Sequence, residues 1–246
     1  MSISFLLKDS LRIARENPLI FVPLLGASII GILLSLIFVG TTLPFAAMAA
    51  TEASEVGTEE ALSGFGAALG GAFFVSLISA IVGLFAHAMA VVMADQAIKG
   101  ESIGLKDALI RTRVRIIPVA VAVVLVSALV GLASLLLVLP GLILGFFLIF
   151  TIVSVMTDHN NGFQALRTSM KTVYGHIVPV MIFFLIVLGL GLVSGLLGGI
   201  VGVIPILGIF LTMIVGGLYS GYVTIMLVGL YHAVSDHSGG SVDAEV

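Results

Sequence analysis

Cysteine is absent from this chain of 246 residues, and only 9% of its residues are charged. The first absence excludes disulfides, thiolate metal sites and cysteine nucleophiles, and says little about compartment. The second sets the chain apart from soluble domains, where about a quarter of residues are charged. Two stretches, 116–157 and 172–235, carry no charge at all. Also missing are an HExxH pair, a nucleophile elbow and a Gly-rich phosphate loop, so neither an enzyme activity nor a cofactor is expected. A net charge of −3 without a basic surface interleaved with aromatics argues against a nucleic-acid partner.

What the chain has instead is apolar length. Sixty per cent of residues are hydrophobic, and there is room for roughly six spans of about 20 residues with short loops. The expectation is an all-α, polytopic membrane protein with a single transmembrane domain over 1–246. As one helix, 116–157 would be roughly 63 Å long, about twice the hydrocarbon thickness of a bilayer. Leu139-Pro140-Gly141 breaks it in the middle, which predicts a tight transmembrane hairpin. The same plan recurs on either side. The expected architecture is therefore six transmembrane helices as three hairpins, each preceded by an interfacial amphipathic helix.

The 10 basic residues set the orientation. Lys8, Arg12 and Arg15 precede the first apolar run. Lys99, Lys106, Arg111, Arg113 and Arg115 lie between the second and third spans, and Arg167 and Lys171 between the fourth and fifth. The opposite loops hold no Lys or Arg, and the longest of them, 51–64, carries Glu52, Glu55, Glu59 and Glu60. Lys and Arg stay on the cytoplasmic side during insertion, so both termini are expected inside a cell membrane and the acidic loop outside.

Along the chain, residues 2–16 place Ile3, Leu6, Leu7, Ser10, Leu11 and Ala14 on one helical face, with Lys8, Arg12, Arg15 and Glu16 on the other. Asn17-Pro18 ends that helix. The first span, about 19–39, leaves near Pro44; the charged lead and apolar core are too long for a signal peptide cleaved at Ala47-Met48-Ala49. The second span lies within 65–94, and 95–101 reads as a polar connection. A second amphipathic segment covers 103–115. The third covers 163–176, with Phe163, Leu166, Met170, Val173 and Ile177 on one face. The run 172–235 holds two generous spans, about 177–199 and 207–232, or arithmetically three short ones.

An internal repeat argues for two. Leu7-Lys8-Asp9-Ser10-Leu11 matches Leu105-Lys106-Asp107-Ala108-Leu109, and Phe163-Gln164-Ala165-Leu166 is a weaker third copy. Each is followed by a proline early in a span (Pro23, Pro118, Pro179) and another at its outer end (Pro44, Pro140, Pro205). Of the 7 prolines only Pro18 falls outside this scheme. The repeats would be 1–94, 95–157 and 158–235, parallel about the membrane normal, with a short tail at 236–246.

Several short motifs add a resemblance. Leu139-Pro140-Gly141 opens a span, and Asp158 to Gly162 forms an aspartate-containing turn with glycine. Ala165-Leu166-Arg167-Thr168-Ser169 and Tyr174-Gly175-His176 precede the next span. In these motifs the chain resembles an uncharacterised prokaryotic six-helix membrane protein family, related to the membrane domain of some glycerophosphodiester phosphodiesterases. The resemblance implies a six-span helical fold. It carries over no catalytic residues, because that chemistry belongs to a soluble domain.

None of the spans as drawn contains Asp, Glu, Lys or Arg, which counts against proton coupling. His232 and Asp236, with Asp158-His159, have competent metal-ligand chemistry. Imidazoles at a water interface account for them as well, and no metal is expected. Arg111, Arg113 and Arg115 are candidate contacts for anionic lipid, or simply a topology anchor. Gly191, Gly195 and Gly199 have the spacing that lets helices approach closely, for packing within the chain, for a dimer or around a cavity. Expected partners are membrane lipids and other membrane proteins or a second copy. The leading expectation is a lipid- or protein-organising factor at the cytoplasmic face, with a small-molecule or lipid translocator as the alternative.

Overall fold

A computed structural model describes residues 3–52, 58–101, 104–204 and 207–239. The described residues are almost entirely helical, without a strand. Helix α1 (Ile3–Glu16) leads through a 3-10 turn at Pro18–Phe21 into α2 (Val22–Glu52), and α3 (Thr58–Ile98) returns. Then follow α4 (Leu105–Leu136), α5 (Val138–Phe147), α6 (Thr151–Thr157), α7 (Gly162–Gly175), α8 (Ile177–Gly202) and α9 (Leu207–Gly239). Six stretches are long and apolar enough to cross a membrane: Pro18–Phe38, Gly70–Ile98, Leu105–Leu135, Leu139–Thr157, Ile177–Gly202 and Leu207–Ser235. The chain is a multi-pass helical membrane protein. The run 172–235 forms two long helices, not three short ones.

α2 packs along α3, α4 along α5 and α8 along α9, while α3 and α9 also meet each other and α9 receives α1. Burial is uneven along the spans. The core gathers Ile20, Phe21, Ala88, Met89, Val91 to Ala94, Val119, Phe150, Val153, Val173, Phe183 and Ile225 to Val228, all towards the ends that carry Lys and Arg. Towards the other ends Leu33, Ile37, Phe73, Leu132, Leu135, Leu192 and Ile200 face outward. Lipid tails are as apolar as leucine, so nothing drives those side chains into contact with one another. Close approach between the spans depends on small residues. A Cβ on Gly217 would collide with Leu25, and one on Gly221 with Phe21, which is how α9 reaches the first span.

Four boundaries differ from the sequence reading. α2 continues past Pro44 to Glu52. The segment 105–115 is no separate interfacial helix: it is continuous with the third span, with Pro118 inside α4. Proline is tolerated there because membrane helices resupply the one hydrogen bond it removes. The fourth span is interrupted, breaking at Leu148 to Phe150 between α5 and α6. Finally, the second span does not stop at Ala94. α3 runs one turn further, and Asp95 lies inside it.

That last boundary has a clear cause. Gly100 takes φ +71°, the Glu101 N–H donates to the Gln96 carbonyl at 2.9 Å, and the Gly100 N–H donates to that of Ala97 at 3.2 Å. These paired bonds form a Schellman stop, which requires the left-handed conformation at its glycine. Gly100→Ala is expected to destabilise the protein by about 1 kcal/mol, since alanine pays for φ > 0. Thermal unfolding in detergent measures it, and an unchanged midpoint would show that the α3–α4 turn has another way to close.

Candidate functional site: a polar cluster at the Lys/Arg-rich end

Extending α3 to Ile98 places Asp95 opposite α9. Asp95 is only 8% exposed. His232 Nε2 donates to its Oδ1 at 2.6 Å and Lys99 Nζ to its Oδ2 at 2.8 Å. Lys99 reaches it along the helix, four residues on, the spacing at which opposite charges meet. His232 comes from the other end of the sequence, so this pair ties the second span to the sixth.

A second carboxylate sits beside it in the chain order of α9. Tyr231 Oη donates to Asp158 Oδ2, where α6 ends. Ser154 Oγ donates to the same oxygen at 3.4 Å, and Thr157 Oγ1 to Asp158 Oδ1 at 3.2 Å. Asn160 Nδ2 donates to Ser154 Oγ at 2.9 Å and to Thr168 Oγ1 on α7 at 3.3 Å. The Tyr231 ring packs on Phe150 at 5.3 Å between centroids, and both side chains are buried. The fourth span, α7 and the sixth span are thereby joined. His159, just past the end of α6, takes φ +63°, a conformation usually left to Gly or Asn.

The break in the fourth span is held by α7. Ser169 Oγ accepts from the Phe150 N–H at 3.1 Å and donates to the Phe147 carbonyl at 2.8 Å. One hydroxyl therefore satisfies a donor and an acceptor that the interrupted helix would leave open, and in lipid such groups need a partner inside the protein. α7 can come this close because Gly162 has no side chain. A Cβ there would lie 3.0 Å from Val121 Cγ1 and 3.1 Å from the Ala122 nitrogen.

The residues singled out from sequence fare differently. Arg111 pairs with Glu101 at 3.9 Å. Arg113 is exposed and Arg115 half-buried. Arg113 points about 200° away from its two neighbours around α4, so the three do not converge on one headgroup. Gly191 does make a close approach: Tyr219 Oη lies 3.0 Å from where its Cβ would be and donates to the Val187 carbonyl at 3.1 Å. Gly195 and Gly199 are exposed with open space around them, and a second glycine that meets α9 is Gly198, against Thr212. Of the Asp236 side chain, weighed above as a metal ligand, nothing is described. Among the described residues no group of three His, Asp or Glu is placed to hold a metal.

Asp95 is what sequence reasoning missed. Its signal was present in the Asp95–Lys99 spacing and in Gly100 as a helix stop. Pro205 and residues 53–57 lie outside the described residues, so the outer turns of the repeat scheme are only partly described.

Two concavities complete the picture. One, of about 430 Å³, lies between α2, α3 and α9 and is lined by Ser28, Gly31, Ser35 and Ser79 with Ile32, Leu36 and Ile209. The other, of about 270 Å³, lies on α1 among Lys8, Leu11, Arg12, Arg15 and Glu16. On α1 the buried Leu6, Ser10 and Ile13 occupy one side, against α9. Lys8, Arg12 and Arg15 occupy the opposite side. Leu11, expected on the inner face, is outward-facing.

Compared with known protein families, curated proteins and solved structures, the chain matches none.

Proposed function

We propose that this protein is a non-enzymatic integral membrane factor that organises lipid or partner proteins from the cytoplasmic face of the cell membrane. In this reading three hairpins cross the bilayer, both termini are cytoplasmic, and α1 and α7 lie at the inner interface. The observation that carries it is the division of α7 into three sides. Ala165, Leu166, Ser169 and Val173 are buried, Phe163, Met170 and Tyr174 are outward-facing and apolar, and Gln164 and Lys171 are outward-facing and polar. A helix lying at an interface beside a bundle meets three media, namely protein, lipid and water, and such a division suits all three. The polar cluster favours a structural over a catalytic use. Asp95 and Asp158 each hold a side chain of the sixth span, which suits a cross-brace between helices.

The absence of cysteine makes topology testable with single substitutions. Thr58→Cys is expected to react with an impermeant thiol reagent in intact cells, and Ser238→Cys is not. Labelling of the second from outside would place the C-terminus on the wrong side and remove the third hairpin.

The interrupted fourth span and the serine-lined cavity favour a second reading, a lipid or small-molecule translocator, since such proteins build their sites at discontinuous helices. Reconstituted vesicles carrying a headgroup-labelled fluorescent lipid separate the two. The organising role predicts that dithionite bleaches only the outer leaflet, as in protein-free vesicles. Bleaching of both leaflets would overturn it in favour of the translocator.

A further inference from the structure

We infer that Arg167 and Lys171 of α7 form a binding site for the phosphate of an anionic phospholipid whose chains lie against Phe163, Met170 and Tyr174. The inference rests on the interfacial position proposed above for α7 and adds the chemical class of its occupant. Around the helix, Phe163, Arg167, Met170 and Tyr174 fall within about 60° of one another, and Lys171 follows about 40° further on. The buried arc of Gly162, Ala165, Leu166, Ser169 and Val173 adjoins this stripe on its Met170 edge, and Lys171 lies on the far side from it. The outward face is strongly apolar, with Phe163 73%, Met170 46% and Tyr174 75% exposed. No other element of the chain covers it among the described residues.

Charge selects the occupant. α7 contains no Asp or Glu, and neither Arg167 nor Lys171 has an ion-pair partner among the described residues. The other basic segments hold acids among their cations: Arg12 is paired with Asp9 at 2.5 Å and Glu16 shares its concavity, while Arg111 is paired with Glu101 and Asp107 lies in the same helix. Four residues apart on a helix, the two heads can close on one phosphate, Arg as a planar fork and Lys as a point charge. Tyr174, on the same stripe, is the residue type that anchors at headgroup level. An acidic protein would satisfy the cations but would leave Phe163 and Met170 without the apolar medium that a bilayer supplies.

The chain also lacks tryptophan, so Phe163→Trp places one fluorescent reporter on this stripe of the full-length protein. The protein is reconstituted in mixed phosphatidylcholine and phosphatidylglycerol vesicles in which only one lipid carries brominated chains. Brominated phosphatidylglycerol is expected to quench more strongly than brominated phosphatidylcholine at the same fraction. Each of Arg167→Gln and Lys171→Gln should lower the relative association constant about fivefold, the equivalent of roughly 1 kcal/mol per cation near a surface. Arg12→Gln should leave it unchanged. Equal quenching by the two lipids would overturn the headgroup site while leaving α7 at the interface. If neither lipid quenches and the emission stays blue-shifted, the stripe is covered by protein, and both the site and the interfacial reading fall.

Discussion

Asp95→Ala is expected to lower the stability of the folded bundle by about 3 kcal/mol, the effect of removing two charge-assisted hydrogen bonds and stranding their donors. The carboxylate is the hub, since His232 and Lys99 both donate to it and do not meet each other. Its side chain is 12% exposed, against 25% for His232 and 45% for Lys99. Lys99 can therefore turn to water once the carboxylate is gone, whereas the imidazole is more confined. Most of the loss should fall on the Asp95–His232 link. A double-mutant cycle with His232→Ala tests that assignment: the two single effects should overlap, with a coupling of roughly 1–2 kcal/mol. Equilibrium unfolding in mixed micelles of denaturing detergent gives the numbers. Additive effects would mean that the second and sixth spans are held by packing alone. The six apolar stretches should still insert, because alanine at Asp95 or His232 only raises the hydropathy of the second or sixth.

Phe150→Ala should be more damaging, about 3–5 kcal/mol, the range for truncating a buried phenylalanine. Phe150 has no exposed surface and packs at a tilt against Tyr231. It also stands at the break in the fourth span, where its N–H is held by Ser169. The ring therefore packs the joint between α6, α7 and α9, and a cavity there would loosen Tyr231 from Asp158. The same detergent unfolding measures the loss. A single cysteine at Ser169 in the otherwise cysteine-free chain adds a local readout, reacting faster with thiol reagents when Phe150 is also alanine. If the double variant reacts no faster, the joint closes around the cavity and the Tyr231 packing is dispensable.

These expectations show what could and could not be read from residues alone. Hydropathy and the placement of Lys and Arg led directly to six helices, because burying backbone in lipid demands helices and unbroken apolar length. Leu139-Pro140-Gly141 marks the neighbourhood of a break but not its place: α4 ends at Leu136, Leu137 is extended, and Pro140 lies in the first turn of α5. Proline in a membrane helix need not end it: Pro118 sits inside α4, and α2 continues as helix past Pro44 although the apolar stretch stops at Phe38. α7 was recognised by its period, but Leu166 and Val173 turned out to face the protein while Phe163 and Met170 face outward. Periodicity groups apolar side chains without saying whether lipid or protein covers them.

The sequence by itself determined that this is a helical membrane protein, how many times it can cross, and which ends carry the positive charge. Each of these follows from local composition, because a bilayer tests every segment separately. Only the tertiary structure decided that Asp95 meets His232, that Tyr231 meets Asp158, and that Ser169 fills the gap in the fourth span. Those contacts join residues far apart in the chain, and their geometry depends on how whole helices pack. In lipid that packing is directed by small residues and a few hydrogen bonds, not by the apolar pattern that dominates the sequence.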